Sequence, residues 1–198
     1  RLPEFRHSGQ GTKLLSTLLE TAQMLGHRSC CLEVIADNLP AVRLYKKLGF
    51  QVVRTLPGYT FTSKETQERK YKVVLEELHC FQLASEIMRA DEFELPWQIS
   101  GETLATMDSD VRAFRCGNAM VAWTKRGETS HRLLSLFVPV EYRGQGEATR
   151  LLEVLFQQTP GIQWSIPPVC PQEWGGFFER MGFQKMEVEQ RQMRMAWG

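Results

Sequence analysis

The stretch Arg6-His7-Ser8-Gly9-Gln10-Gly11-Thr12 constrains this chain more than any other part of it. Two glycines one residue apart allow a tight turn and leave backbone N–H groups open to a ligand. A helix that begins there aims its positive end at the loop, which makes a cradle for phosphate. As a nucleotide P-loop the stretch fails, because Thr12 stands directly before Lys13 where that pattern needs glycine. As a dinucleotide fingerprint it fails too, since three glycines at the required spacing are absent.

The residues downstream say what kind of chain surrounds the loop. Leu14, Leu15, Leu18, Leu19, Ala22 and Leu25 recur at three- and four-residue spacing, which predicts a helix with one buried stripe, ended by Gly26. Ser29 to Ala36 reads as a buried strand interrupted by one acid, Glu33. Asp37 or Asn38 then caps a short helix in which Ala41, Leu44, Tyr45 and Leu48 share a face, and Gly49 stops it. Gln51 to Leu56 reads as a strand, Pro57-Gly58 as a turn, Thr62 to Arg69 as a polar loop and Lys70 to Leu78 as a strand.

Asn38, Ala41, Tyr45 and the Gly49-Phe50 pair, following Arg-x-x-Gly-x-Gly at this distance, closely resemble the signature of the GNAT superfamily of acetyl-coenzyme A-dependent N-acetyltransferases. With Leu32-Glu33-Val34 ahead of Asn38, the sequence is most similar to the branch that acetylates protein N-termini, including ribosomal-protein alanine acetyltransferases. The resemblance implies a role for each group. Residues Arg6 to Thr12 would hold the coenzyme A pyrophosphate, and Asn38 would hydrogen-bond the pantetheine arm. Tyr45 would be the general acid beside the thioester sulfur, and Glu33 the general base. The plainer readings stay open: a helix cap for Asn38, a core aromatic for Tyr45 and a strand-end acid for Glu33.

After Cys80 the pattern starts again. Phe81 to Ala90 reads as a helix, Val111 to Trp123 as two strands joined at Gly117-Asn118, and Leu133 to Val138 as another strand. Arg143-Gly144-Gln145-Gly146-Glu147-Ala148 then opens a helix carrying Leu151, Leu152, Leu155 and Phe156, followed by a strand-like Ile162 to Ile166 and by Phe177 to Phe183. Arg143 lies 137 residues after Arg6, and Gly182 lies 133 after Gly49. Two tandem units are therefore expected, 1–79 and 80–198, each a mixed, largely antiparallel sheet flanked by helices, with Gly9–Gly11 and Gly144–Gly146 at equivalent places. In the second unit Phe178 stands at the tyrosine position, Pro171 at the asparagine and Ile166 at the glutamate. Phenylalanine donates no proton, so the first unit is expected to be catalytic and the second degenerate, its loop either binding coenzyme A or only starting a helix. Since 62 residues (143 minus 81) precede the second loop and five the first, the repeat predicts either roughly 60 to 80 further residues ahead of Arg1 or opening strands of the first unit that are not seen.

Composition excludes several alternatives. A net charge of +1, with 42% hydrophobic and 24% charged residues, gives no reason to expect nucleic acid or an acidic membrane as partner. Five cysteines without a Cys-x-x-Cys pair, and four scattered histidines, suggest neither a metal site nor a disulfide framework and fit a reduced cytoplasm. No apolar run approaches the roughly 20 residues that span a bilayer, and the charged start is not that of a signal peptide. The expected reaction is acetyl transfer from acetyl-coenzyme A to a primary amine, on a peptide N-terminus or a small molecule. Its rival is a non-catalytic coenzyme A-binding or protein-interaction module.

Overall fold

Short apolar strands alternating with amphipathic helices give a mixed α/β arrangement, which is described by a computed structural model for residues 9–63, 73–90, 95–107 and 110–197. The strands are β1 (Ser29–Ile35), β2 (Gln51–Thr62), β3 (Glu76–Leu78), β4 (Val111–Cys116), β5 (Ala119–Lys125), β6 (Ser130–Phe137), β7 (Gln163–Ile166) and β8 (Gln184–Ala196). The helices are α1 (Gln10–Met24), α2 (Leu39–Lys47), α3 (Cys80–Ala90), α4 (Gly101–Ala105), α5 (Glu147–Gln158) and α6 (Gly175–Arg180). The strands form one sheet in the order β1-β8-β2-β7-β6-β5-β4-β3. β1–β8, β2–β7, β3–β4, β4–β5 and β5–β6 pair antiparallel, and β6 pairs with β7 in parallel.

Two compact units emerge, Arg1–Leu56 with Val188–Gly198, and Pro57–Glu187. They cut across a repeat boundary at 79/80, because β2 and β8 each contribute residues to both. In unit 1, β1 pairs with β8 from Ser29↔Ala196 to Ile35↔Gln190. Leu19, Val34, Val42, Phe50 and Met193 form its core, with Cys30, Leu32, Tyr45 and Met195 packed against them. The buried stripe expected on α1 is not observed. Leu19 is buried, but Leu14, Leu18 and Leu25 are exposed. A helical period specifies which residues share a face; what covers that face must come from another element.

Three more elements differ from the sequence reading. β2 continues through Pro57 and Gly58 instead of turning there. A Cβ on Gly58 would come within 2.8 Å of the Met186 sulfur and 3.1 Å of the Ile166 carbonyl oxygen, so this glycine permits a close approach inside the sheet. Of the strand expected over Lys70 to Leu78, residues 70–72 lie outside the described residues, and within 73–78 only Glu76–Leu78 is strand. Residues 64–72, which include most of the expected polar loop, lie outside the described residues. Lastly, the 13-residue β8 was not expected at all. Its apolar residues change phase, Met186 and Val188 being even-numbered and Met193 and Met195 odd, which hides a period of two.

Unit 2 is built on Trp164, Leu151, Leu152, Leu155 and Phe178, with a second apolar cluster around Leu83, Ala84 and Leu104. The predicted turn at Gly117-Asn118 joins β4 to β5, and α5 packs against both strands.

Candidate active site

In unit 1, α1 starts on Gly9, which holds the left-handed conformation (φ 73°, ψ −10°) that glycine adopts without strain. The Lys13 N–H donates to the Gly9 carbonyl at 3.0 Å and closes the first turn. The N–H groups of Gln10, Gly11 and Thr12 then point out of the helix end, as first-turn donors do. No acid lies in that turn, and a Cβ on Gly9 would meet nothing within 4 Å. A helix start without an acid fits a phosphate group. Arg6, His7 and Ser8, expected to complete the loop, lie outside the described residues.

Asn38 caps α2, its Oδ1 accepting from the Ala41 N–H at 3.3 Å, and Pro40 occupies the first turn. Tyr45, half-buried on α2, meets the Phe50 ring edge to face at 5.9 Å. Both plainer roles are therefore present, and either is compatible with a second role for the polar atoms. Leu32 and Val34 face the α2 core. Strand alternation puts Glu33 on the other face of β1. There its Oε1 accepts a hydrogen bond from Gln192 Nε2 at 3.4 Å, across the Glu33↔Gln192 register pair.

Unit 2 contains a formed cleft. β6 and β7 pair only from Ser130↔Gln163 to Arg132↔Ser165 and then part, and a cavity of about 700 Å³ opens between them. Leu133 to Val138 form one wall and Ile166-Pro167 the other, with Arg143 and Ala148 at the start of α5 and Phe177 of α6 lining it as well. Along β6 the register with β5 steps from Ala122↔Ser135 to Trp123↔Leu133, so Leu134 bulges beside the cleft. α5 starts on Gly146 (φ 81°, ψ 5°). Gly146 thus starts α5 in the conformation in which Gly9 starts α1, 137 residues earlier, the same spacing as the arginines. This corrects the expected equivalence of Gly9–Gly11 with Gly144–Gly146: Gly144 corresponds to His7 and Ala148 to Gly11.

Hydrogen bonds fix the second loop. Arg143 Nε donates to the Val138 carbonyl at 2.9 Å, and Gln145 Nε2 to the Glu141 carbonyl at 3.0 Å. The Asn118 N–H donates to the Glu147 carboxylate at 3.0 Å, which ties the one acid of the first turn to the β4–β5 turn. Phe178 is buried against Tyr59 and Phe183. Burial, and secondarily the charge of Glu173, pushes the Cys170 thiol up to about 12. That thiol stays protonated near neutrality and is no nucleophile. Among the described residues no group of three His, Cys, Asp or Glu could hold a metal ion, and no helix is long and apolar enough to cross a membrane.

Comparison with known proteins bears on both units. Residues 2–50 match the model of the acetyltransferase (GNAT) family. An N-alpha-acetyltransferase of Sulfurisphaera tokodaii is 39% identical over 59 residues, 29% of this chain and 35% of that protein. Among crystal structures, a GCN5-related N-acetyltransferase from Anabaena variabilis superposes with a TM-score of 0.66 at 12% identity, covering 98% of this chain and 52% of that one. The chain has the GNAT fold. A GCN5-related N-acetyltransferase from Kribbella flavida gives a TM-score of 0.62 at 15% identity, with coverages of 98% and 49%. This chain thus spans about half the length of those GNAT structures and about a third of the curated relative. In this GNAT fold the sequence singled out Glu33, Asn38 and Tyr45, but it missed Gln192, which lies 159 residues from Glu33 on a strand without a clear period.

Proposed function

We propose that this chain is an acyltransferase of GNAT type that moves acetyl from acetyl-coenzyme A to a primary amine, with chemistry in unit 1. The observation that carries the reading is Glu33 on β1, held there by Gln192, twelve residues before Tyr45 on α2. Glu33 takes a proton from the attacking ammonium, and the freed amine nitrogen bonds to the thioester carbon. As the carbon–sulfur bond breaks, Tyr45 gives its phenolic proton to the departing thiolate, and the second nitrogen proton, shed as the amide forms, restores the phenol. Direct transfer of this kind needs no acyl-enzyme. The first-turn N–H groups of α1 would hold the pyrophosphate and Asn38 the pantetheine arm. The name of the Sulfurisphaera relative, N-alpha-acetyltransferase, favours a peptide α-amine as acceptor.

The two motif sets support a division into tandem repeats at about 1–79 and 80–198, with no metal cofactor and, from the free cysteines, a reducing cytoplasmic setting. A second reading is favoured for unit 2 by its cleft together with Phe178: coenzyme A binding through residues 143–148 without turnover. Thiol release from acetyl-coenzyme A, measured with peptide and small-molecule amines, tests the main reading. Release should require an amine and disappear in Glu33→Gln; amine-independent binding with no release would leave only the second reading.

A further inference from the structure

We propose that Gln192 is a positioning residue of the unit 1 site: its amide nitrogen holds the Glu33 carboxylate, and its amide oxygen accepts a hydrogen bond from the acceptor ammonium. The inference rests on the reading of Glu33 as the general base. Gln192 is 3% exposed, in the third pair of the β1–β8 ladder counted from Ile35↔Gln190. Its Nε2 lies 3.4 Å from Glu33 Oε1. The two ends of a glutamine amide are told apart by their partners. Here the carboxylate decides, because an acceptor oxygen turned towards it would face only repulsion.

The amide oxygen is therefore turned away from Glu33. It is buried and accepts no hydrogen bond from any described residue. A buried acceptor without a donor costs the desolvation of that group, so such atoms are retained where something else supplies the donor. A primary ammonium carries three N–H bonds. One can go to Glu33, which takes that proton, while the bond to the Gln192 oxygen keeps the nitrogen in place. β8 belongs to the second repeat in sequence and to unit 1 in space. The degenerate half of the chain would thus furnish a residue that the catalytic half needs.

Other charged or titratable groups share this surface. Cys31 and Arg194 follow the same alternation as Glu33 and Gln192, Arg194 Nη2 donating to Ser29 Oγ at 3.4 Å, and the neighbouring strand β2 carries Arg54. These groups are unchanged in the substitutions below, so a shift caused by Gln192 stands apart from their influence.

The test is an NMR titration of the 198-residue chain labelled with 13C at glutamate and 15N at glutamine, with Glu33→Gln assigning the carboxyl signal. In the unsubstituted chain the Gln192 amide signals should follow the Glu33 titration, and in Gln192→Met, which keeps length and volume, the Glu33 midpoint should rise by about one pH unit, the loss of one charge-assisted hydrogen bond. The same variant should raise the amine KM about tenfold and leave the acetyl-coenzyme A Kd unchanged. Gln192 signals indifferent to Glu33 overturn the inference even where the variant fails to fold, and so does an unmoved midpoint. Full turnover in Glu33→Gln sinks the assignment of Glu33 itself, whereas loss of turnover there with Gln192→Met unaltered in midpoint and KM sinks only the role of Gln192.

Discussion

Helices α1 and α5 carry the same leucine spacing after the same capping glycine, yet one is bare and the other buried. At the 137-residue spacing, Leu14 corresponds to Leu151 and Leu18 to Leu155. Leu14 and Leu18 are 72% and 58% exposed, against 0% and 2% for Leu151 and Leu155. The difference lies opposite the helix. α5 rests on β4 and β5, whereas no described strand precedes α1 to cover the corresponding face. An amphipathic stripe is thus a local property of sequence, and its burial is a property of the layer it meets.

The comparison is broken or kept most directly by shortening one leucine in each helix. Leu155→Ala should cost about 2–5 kcal/mol in urea unfolding, as buried leucines do. Leu18→Ala should stay within about 0.5 kcal/mol, as exposed substitutions do. Equal costs would mean that α1 is covered in solution and that the two helices are alike after all.

On the proposed reading, Tyr45 and Phe178 differ by the one hydroxyl that donates a proton. Tyr45→Phe should lower turnover by about 10²-fold with little change in acetyl-coenzyme A affinity, the scale of a positioned general acid. Phe178→Tyr should restore almost nothing, since Ile166 and Pro171 stand where unit 1 has Glu33 and Asn38. Unchanged turnover in Tyr45→Phe, with chemistry rate-limiting, would reduce Tyr45 to its edge-to-face contact with Phe50.

Much of this was legible in the sequence. The capping glycines, α2 with its Asn38 cap, the β4–β5 hairpin and the Glu33–Tyr45 spacing depend on residues near one another in the chain, and local rules read them well. The hydrogen bond from Gln192 to Glu33 depends on a strand pairing across 159 residues, which no local period encodes. The cleft of unit 2 was invisible for a related reason: it exists because β6 and β7 stop pairing after Arg132, and the extent of pairing between distant strands is not encoded in either strand's own period. Gly58 was misread because a glycine that admits a neighbouring strand and one that makes a turn look the same in sequence.

Alkaline pH should separate the units by their thiols. Burial raises Cys170 from 9.0 to about 12, and it also raises half-buried Cys30 of unit 1. A thiol whose pKa is raised by folding contributes its stability in full below the unfolded value, and loses it as pH climbs through the folded one. Between pH 9 and 12 the unfolded thiol ionises first, so Cys170 should lower stability by up to about 1.4 kcal/mol per pH unit. Thermal unfolding of Cys170→Ala should therefore show a flatter alkaline slope than the unsubstituted chain, with Cys30→Ala flattening it less. Identical slopes in all three would mean that Cys170 is reached by water.

The smallest effect should also be the most symmetrical. Gly9 and Gly146 hold nearly the same backbone angles, φ 73° and ψ −10° against φ 81° and ψ 5°, and a Cβ on either would meet nothing within 4 Å. Alanine at either position is thus penalised by the left-handed backbone alone, about 1 kcal/mol, with no clash to add. For Gly146 the full amount should appear in global unfolding, because α5 cannot detach without exposing Leu151 and Leu155. For Gly9 the strain can be relieved by fraying the first turn of a helix that buries only Leu19. The expected result is therefore an equal penalty at the two loops measured in different ways: a shifted urea midpoint for Gly146→Ala, and faster amide exchange at the start of α1 with a nearly unmoved midpoint for Gly9→Ala. A full midpoint shift for Gly9→Ala would show that α1 unfolds together with the rest of the chain, and that the bare helix is held as firmly as the buried one.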